Sequence, residues 1–324
     1  MKLRLNIIAI IACLPIMVSC EKDITEKFED SQQNVFILSG ELSAFEHPTI
    51  NLTRSITMAQ LDTLQYLNNA QVEIRSGDQS YQMEPGGYGN YTSSELLLQP
   101  GQEYHIHCSG EELPDASASV VIPVLPVVSE ITLTVGDSLD LHLDIAIDDP
   151  ATFRDYYTFY ISGWLMEIHV HHDETGIETR DTLNVFTNYH LNIQDSVFEY
   201  SGNLQRFQII EEESRYLSMV HFSDRLFNGS THHLTVNSFL WSFYNDSIPE
   251  INIHLVKHDE HYFNFLESMT RYDPYNDLPI IQPVQIYSNI EGGFGLLTSR
   301  SHFTRTIDMS EWYYDPALLE LFAK

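Results

Sequence analysis

The segment LDLHLDIAI (139–147) alternates without a fault: Leu139, Leu141, Leu143, Ile145 and Ile147 are set to face inward, and Asp140, His142 and Asp144 outward. A period of two marks a strand buried on one side, because successive side chains leave opposite faces of the pleat. Short runs of the same kind, rich in β-branched and aromatic residues, recur between turn clusters along the chain. Up to residue 123 they predict strands at 34–40, 49–55, 70–76, 80–84, 103–109 and 118–123, separated by EPGGYGNY (84–91), QPGQ (99–102) and EELPDAS (111–117). Beyond it, strands are expected at 139–147, 156–163, 164–171, 206–210, 232–239, 251–257, 283–289 and 302–308.

Helical spacing is clear in one place. Tyr262, Phe263, Phe265, Leu266 and Met269 follow Asp259, a residue suited to an N-cap, and predict a helix near 259–270. A short second helix is expected from Asp315-Pro316, with proline at its first position. Between the two groups of strands lies IPVLPVV (122–128), whose prolines cannot sit in a central strand and mark a stiff linker. The pattern predicts a mainly β protein. An N-terminal immunoglobulin-like or transthyretin-like β-sandwich (34–123) precedes a larger β-sandwich or partly closed barrel (124–324) that carries the helix.

The first 33 residues follow another logic. Lys2 and Arg4 precede an apolar run from Asn6 to Val18 that is too short to span a bilayer, the layout of an export signal over 1–19. Met17-Val18-Ser19 before Cys20 resembles a bacterial lipobox, so Cys20 is the expected site of acylation; the plainer alternative is a secretory signal with a chance cysteine. Acyl chains gain about 0.8 kcal/mol per buried CH₂, enough for several of them to hold a folded domain at a membrane. Residues 20–33 read as a lipidated polar tether. Cys108 is then the one thiol left, without a partner for a disulfide, and its place in a predicted strand suits a small buried hydrophobe.

Charge narrows the partners. Without Lys2 and Arg4, 14 basic residues remain against 46 acidic ones, a net charge of −32. Such a surface repels nucleic acid and phospholipid headgroups, so no nucleic-acid partner is expected, and membrane contact is expected through the N-terminal lipid.

Candidate chemistry is sparse. G-x-S-x-G and H-E-x-x-H are absent, and EGGFG (291–295) lacks the lysine and helix of a phosphate cradle, so it reads as a turn or bulge beside a strand. No catalytic residue is assigned and an enzyme is not expected. Fifteen histidines offer a weaker signal. His169, His171 and His172 with Asp173 are the best candidates for a divalent metal, since imidazoles two apart on a strand share a face and a carboxylate suits a mixed site. His105 with His107, His232 with His233, and His254, His258 and His261 form looser groups, for which solvated or structural roles are the plainer reading. No other cofactor is expected. The aromatic clusters WSFYND (241–246), RYDPYND (271–277) and EWYYDP (311–316) are expected as buried loop anchors, or as exposed platforms for sugars or peptides.

A further triplet, Asp followed by Ser or Thr and then an aliphatic residue, occurs at Thr63, Ser138, Thr182, Ser196 and Ser247 as the hydroxyl positions. Composition alone predicts about one. The five resemble an O-glycosylation sequon of exported bacterial proteins, with turn chemistry as the alternative.

Longer stretches carry a family likeness: CEKDI, VFILSGELS, PTINLTRS, NAQVEIRSGDQSYQMEPGGYGNYTSSELLLQPGQEYHIHCSG, IPVLPVVSEITL, INIHLVKHDEHYFNFLESM and PVQIYSNIEGGFGLLTSRS. Together they resemble the outer-membrane lipoproteins grouped as domain of unknown function 4249 (DUF4249), from about residue 20 to 308; the stretch 172–204 departs from that pattern. The resemblance implies a lipoprotein of Bacteroidota that accompanies a TonB-dependent outer-membrane receptor in nutrient uptake. Glu21-Lys22-Asp23 is similar to the charged signals that send such lipoproteins to the cell surface. The expected role is therefore a surface-exposed, non-enzymatic accessory or ligand-binding partner of that receptor. A metal-binding lipoprotein built on His169, His171 and His172 is the alternative, and a hydrolase with acids in the second domain a weaker one.

Overall fold

The structure is a computed structural model that describes residues 34–56, 64–135, 140–151, 153–172, 178–193, 195–197, 218–239, 250–271 and 285–309. It is mainly β, and the alternating segments become its strands. In the first half these are β1 (Phe36–Ser43), β2 (Thr49–Arg54), β3 (Gln65–Tyr66), β4 (Gln71–Ser76), β5 (Gln79–Gly87), β6 (Asn90–Thr92), β7 (Glu103–Ser109) and β8 (Ala116–Val121). Several bury alternate residues: Phe36, Leu38 and Leu42 on β1, Val72 and Ile74 on β4, Tyr104, Ile106 and Cys108 on β7. These inner faces meet in one apolar core. β5 joins its two layers: residues up to Met83 pair with β4, those from Glu84 pair with β6, and the register shifts between Pro85 and Gly87.

The second half adds β9 (Val127–Val135), β10 (Asp140–Asp148), β11 (Tyr156–His172), β12 (Glu178–Asn188), β13 (Leu191–Ile193), β14 (Val220–Ser223), β15 (Thr231–Phe239), β16 (Glu250–His258), helix α1 (Glu260–Thr270) and β17 (Phe294–Asp308). β13, β15, β10 and β9 form a four-stranded sheet. Its inner residues, Leu141, Leu143, Ile145, Ile147, Leu234 and Val236, pack against Tyr157, Phe159, Ile161, Ile251, Ile253 and Leu255 of β11 and β16 in a second core. Both cores are sandwiches, and neither sheet closes into a barrel.

One sheet runs behind both. Its strand order is β12-β11-β16-β17-β1-β2-β6-β5-β4-β7-β8, with β14 added at β11 and β3 at β2. The junction is β17, which pairs parallel with β1 over Phe294–Arg300 and antiparallel with β16 over Arg300–Asp308. Leu297 lies in the first core, and Phe303 and Ile307 pack against the second. Between them Ser299 and Ser301 are fully buried, because the proline linker crosses that face. Their hydroxyls donate to the carbonyls of Val121 and Val124 at 2.7 and 3.0 Å.

The two strands expected at 156–163 and 164–171 are one continuous strand, β11. Gly163 is no break in it: a Cβ there would lie 2.3 Å from the Tyr189 hydroxyl, so glycine lets that ring lie across the strand. The strand expected at 283–289 is not formed over residues 285–289. Side chains hold this segment instead: Asn289 accepts from the Leu297 N–H at 3.0 Å and donates to its carbonyl at 2.7 Å, and the Tyr287 N–H donates to Ser268. Gly292 and Gly295 behind it have φ of 73° and 118°, and a Cβ on either would strike a backbone oxygen of Asp115 or Leu38, as expected of a turn entering a strand. The strand expected at 206–210 and the helix expected at Asp315 lie outside the described residues.

Candidate functional site

The same alternation that fills the second core sends Thr158, Tyr160 and Ser162 of β11, and His254, Val256 and His258 of β16, to the opposite face of the long sheet. Arg300 at the middle of β17 and Glu41 of β1 close one side, joined by an ion pair of 2.9 Å. At the end of β16 the chain turns into α1. The Asp259 carboxylate accepts from the Tyr262 N–H at 3.0 Å, an N-cap that leaves the Tyr262 ring parallel to His258, centroids 4.0 Å apart. Phe186, Asn188 and Met219 complete a groove of about 510 Å³.

Apart from that ion pair, its chemistry is aromatic and uncharged. Tyr160 stacks on His254 at 4.3 Å. His254 is bonded on both ring nitrogens, to Ser162 Oγ at 2.8 Å and Thr304 Oγ1 at 3.1 Å. Thr158 Oγ1 lies 2.8 Å from His221 Nδ1 and 3.0 Å from His258 Nε2. Burial penalises the imidazolium form of all three histidines, taking His221 and His254 down to about 4 and His258 to about 3. They are neutral at physiological pH. Burial also raises the Glu41 carboxyl, against the pull of Arg300, and takes Asp259 up to about 7. Two buried polar atoms facing this arrangement, His258 Nδ1 and Arg300 Nε, have no hydrogen-bond partner. At the far end Trp164 and Phe186, opposite each other on β11 and β12, meet edge to face at 5.4 Å and are both about half exposed.

The sequence named His254, His258 and His261 together, and the structure separates them: the first two line the groove, and His261 turns to the Tyr287 hydroxyl at 2.6 Å. His221, Tyr160, Arg300 and Glu41 carried no sequence signal, because only strand pairing brings them together. The metal candidates His169, His171 and His172 fall on β11, in register with Asp181, Thr179 and Glu178 of β12, and Asp173 lies outside the described residues. His105 and His107 go to separate partners, Ser119 at 2.8 Å and Asp115 at 3.4 Å, and His232 and His233 go to Asp195 and Asp144. Cys108 is fully buried, and burial pushes its thiol up to about 12, as fits a packing role.

Among the hydroxyls of the Asp-Ser/Thr triplets, Ser196 is exposed and helical in conformation, and the Asp195 before it accepts from the Val197 N–H at 3.0 Å. Thr182 is opposite Ile168 on β12, whereas Thr63, Ser138 and Ser247 lie outside the described residues, as do Cys20 and the aromatic clusters beyond Arg271.

The family model described as Domain of unknown function (DUF4249) matches residues 21–306. The comparison with curated proteins found no match. Among solved structures, the full-length major pilin SpaD from Corynebacterium diphtheriae is 11% identical with a TM-score of 0.19, covering 71% of this chain and 61% of the pilin. The C-terminal globular domain of an oligosaccharyltransferase from Pyrococcus abyssi is 10% identical with a TM-score of 0.12, covering 69% of this chain and 55% of that one. The chain thus spans less than two thirds of either protein, and overlaps this poor carry neither a shared fold nor a function.

Proposed function

The chain belongs to the DUF4249 family, and on that premise we propose that it is a non-enzymatic lipoprotein, anchored in the outer membrane of a Bacteroidota-type cell through Cys20 and facing the cell surface. It binds a ligand for, or docks with, a TonB-dependent receptor in nutrient uptake. The observation that carries the binding role is the groove on the outer face of the long sheet. Its acids are engaged, Glu41 by Arg300 and Asp259 by the cap of α1, and its histidines are neutral and hydrogen-bonded to hydroxyls. Its two hydroxyl–imidazole contacts, Ser162 with His254 and Thr158 with His258, use buried hydroxyls, and His254 is bonded on its other nitrogen to Thr304 in place of a carboxylate, which favours holding a ligand over transforming it.

The lining also bears on the ligand. An anion finds Arg300 already paired, and a cation finds no free carboxylate. Flat rings at Tyr160, Tyr262, Phe186 and Trp164 alternate with hydroxyl and amide groups, a surface suited to an uncharged, polar, elongated molecule. From Thr158 to Trp164 the floor runs about 20 Å.

The test is purification of the tagged lipoprotein from outer membranes in mild detergent, read by mass spectrometry, with a second arm carrying Tyr160→Ala and Arg300→Ala. A stoichiometric TonB-dependent receptor is expected with the wild type. Its reproducible absence would overturn the accessory role. Loss of co-purified ligand from the substituted groove, with the receptor retained, would place the ligand in the groove.

A further inference from the structure

At the edge of the second core, three carboxylates that do not line the groove converge. Asp149 follows β10, Asp155 precedes β11, and Asp224 opens a 3-10 turn after β14. Asp149 and Asp224 are buried, Asp155 is nearly so, and one donor oxygen from each lies within 4.8 Å of the other two. Protein groups satisfy part of the set. Tyr157 donates its hydroxyl to Asp149 Oδ1 at 2.8 Å, and the Gly229 N–H donates to Oδ2 at 3.1 Å. The Asp155 N–H donates to Asp224 Oδ2 at 2.9 Å, and the buried Lys257 ammonium pairs with Asp155 Oδ2. Asp224 is fully buried, yet its Oδ1 has no hydrogen-bond partner.

Ionised, three carboxylates against one buried ammonium leave a charge of −2, with Arg154 acting on Asp224 from the exposed surface, and folded proteins do not leave such a buried charge uncompensated. We propose that Asp149, Asp155 and Asp224 form a binding site for a single divalent calcium-like cation that locks the end of β10 and the start of β11 to the 224–229 turn. The donors are all hard oxygens, the kind that selects calcium or magnesium over softer metals. Burial favours calcium, since magnesium dehydrates reluctantly and usually keeps several waters, and three oxygens within 4.8 Å of one another admit an ion at calcium's roughly 2.3–2.6 Å. Lys257 neutralises one charge from the Asp155 Oδ2 side, and the two charges left match one divalent ion. The partly exposed edge of Asp155 gives the ion its way in. The competing arrangement is proton sharing among the three acids, which needs no metal.

The two are separated by calorimetry and thermal unfolding on the full chain, stripped with a chelator and titrated with CaCl₂ near neutral pH. The expected result is one Ca²⁺ bound per chain, a melting point that rises with Ca²⁺, and a weaker response to Mg²⁺. Asp224→Asn should weaken binding by about tenfold or more through loss of one ligand charge. Asp155→Asn serves if that variant does not fold. No binding heat and no melting shift in the wild type would overturn the site. So would Ca²⁺ responses that survive both substitutions, since these would belong to other acids of the surface, or a Mg²⁺ response equal to that of Ca²⁺.

Discussion

At Gly295 the backbone adopts φ 118°, and a Cβ would sit 1.9 Å from the Leu38 carbonyl oxygen. No side chain can be accommodated without moving β1 or β17. Gly295→Ala should destabilise the fold by about 2 kcal/mol or more, combining left-handed strain with the clash, as read from the urea midpoint. A midpoint unchanged from the wild type would mean that the two strands are not so closely apposed. His258 makes a prediction of another kind. Its folded pKa, about 3, lies under the ordinary 6.5 chiefly because burial penalises the cation, with His221 and Arg300 adding repulsion. Below pH 6.5 the unfolded chain takes a proton that the folded chain refuses. Its contribution to stability is therefore complete above that pH and drains away as pH falls toward 3. His258→Asn should flatten the dependence of unfolding free energy on pH between about 6 and 4, by up to about 1.4 kcal/mol per unit. Urea titrations at four pH values would show it, and an unaltered slope would exclude a buried neutral ring.

Among the elements, α1 is the most readily tested. Asp259 caps it and lies 3.0 Å from the Ser299 hydroxyl oxygen, and burial raises its carboxyl from 3.8 to about 7. An acid with a raised pKa holds a proton in the fold that the unfolded chain has lost, so its contribution favours folding at low pH and is lost as pH rises through 7. Asp259→Ala should cost about 1 kcal/mol by removing the cap. Asp259→Asn, which keeps an acceptor and cannot ionise, should be neutral or stabilising above pH 7 in the same denaturation assay. A cost for Asn equal to that for Ala would refute the cap. This helix and most strands were legible because their local periodicity coincides with their burial: the alternation of Leu141, Leu143, Ile145 and Ile147 reads the same in sequence and in β10. The failures have local causes too. Gly163 looks like punctuation until Tyr189 is seen against it, and 285–289 looks like a strand until Asn289 supplies side-chain bonds in place of a ladder. The groove was legible only in fragments. His254 and His258 share a stretch of sequence, but Tyr160, His221, Arg300 and Glu41 come from β11, β14, β17 and β1, and no spacing along the chain announces their meeting.

For the whole molecule the shared strand matters most. β17 supplies Leu297 to one core and Phe303 and Ile307 to the other, and the proline linker is fastened to its middle by Ser299 and Ser301. The two cores should therefore open together. Leu297→Ala removes a fully buried side chain and should cost about 2–5 kcal/mol. Hydrogen exchange should speed up not only in β1 but also in β16, on the far side of the strand; acceleration confined to β1 would show that the cores melt independently. The parallel pairing of β17 with β1 also sets a timetable for biosynthesis. Ile37 cannot meet Phe294 until 257 further residues have been made, roughly 15–50 s of synthesis at ordinary rates. For all that time β1 lacks one of its two neighbours, so the growing chain cannot lock, and its last strand to be made is the one that fastens its first.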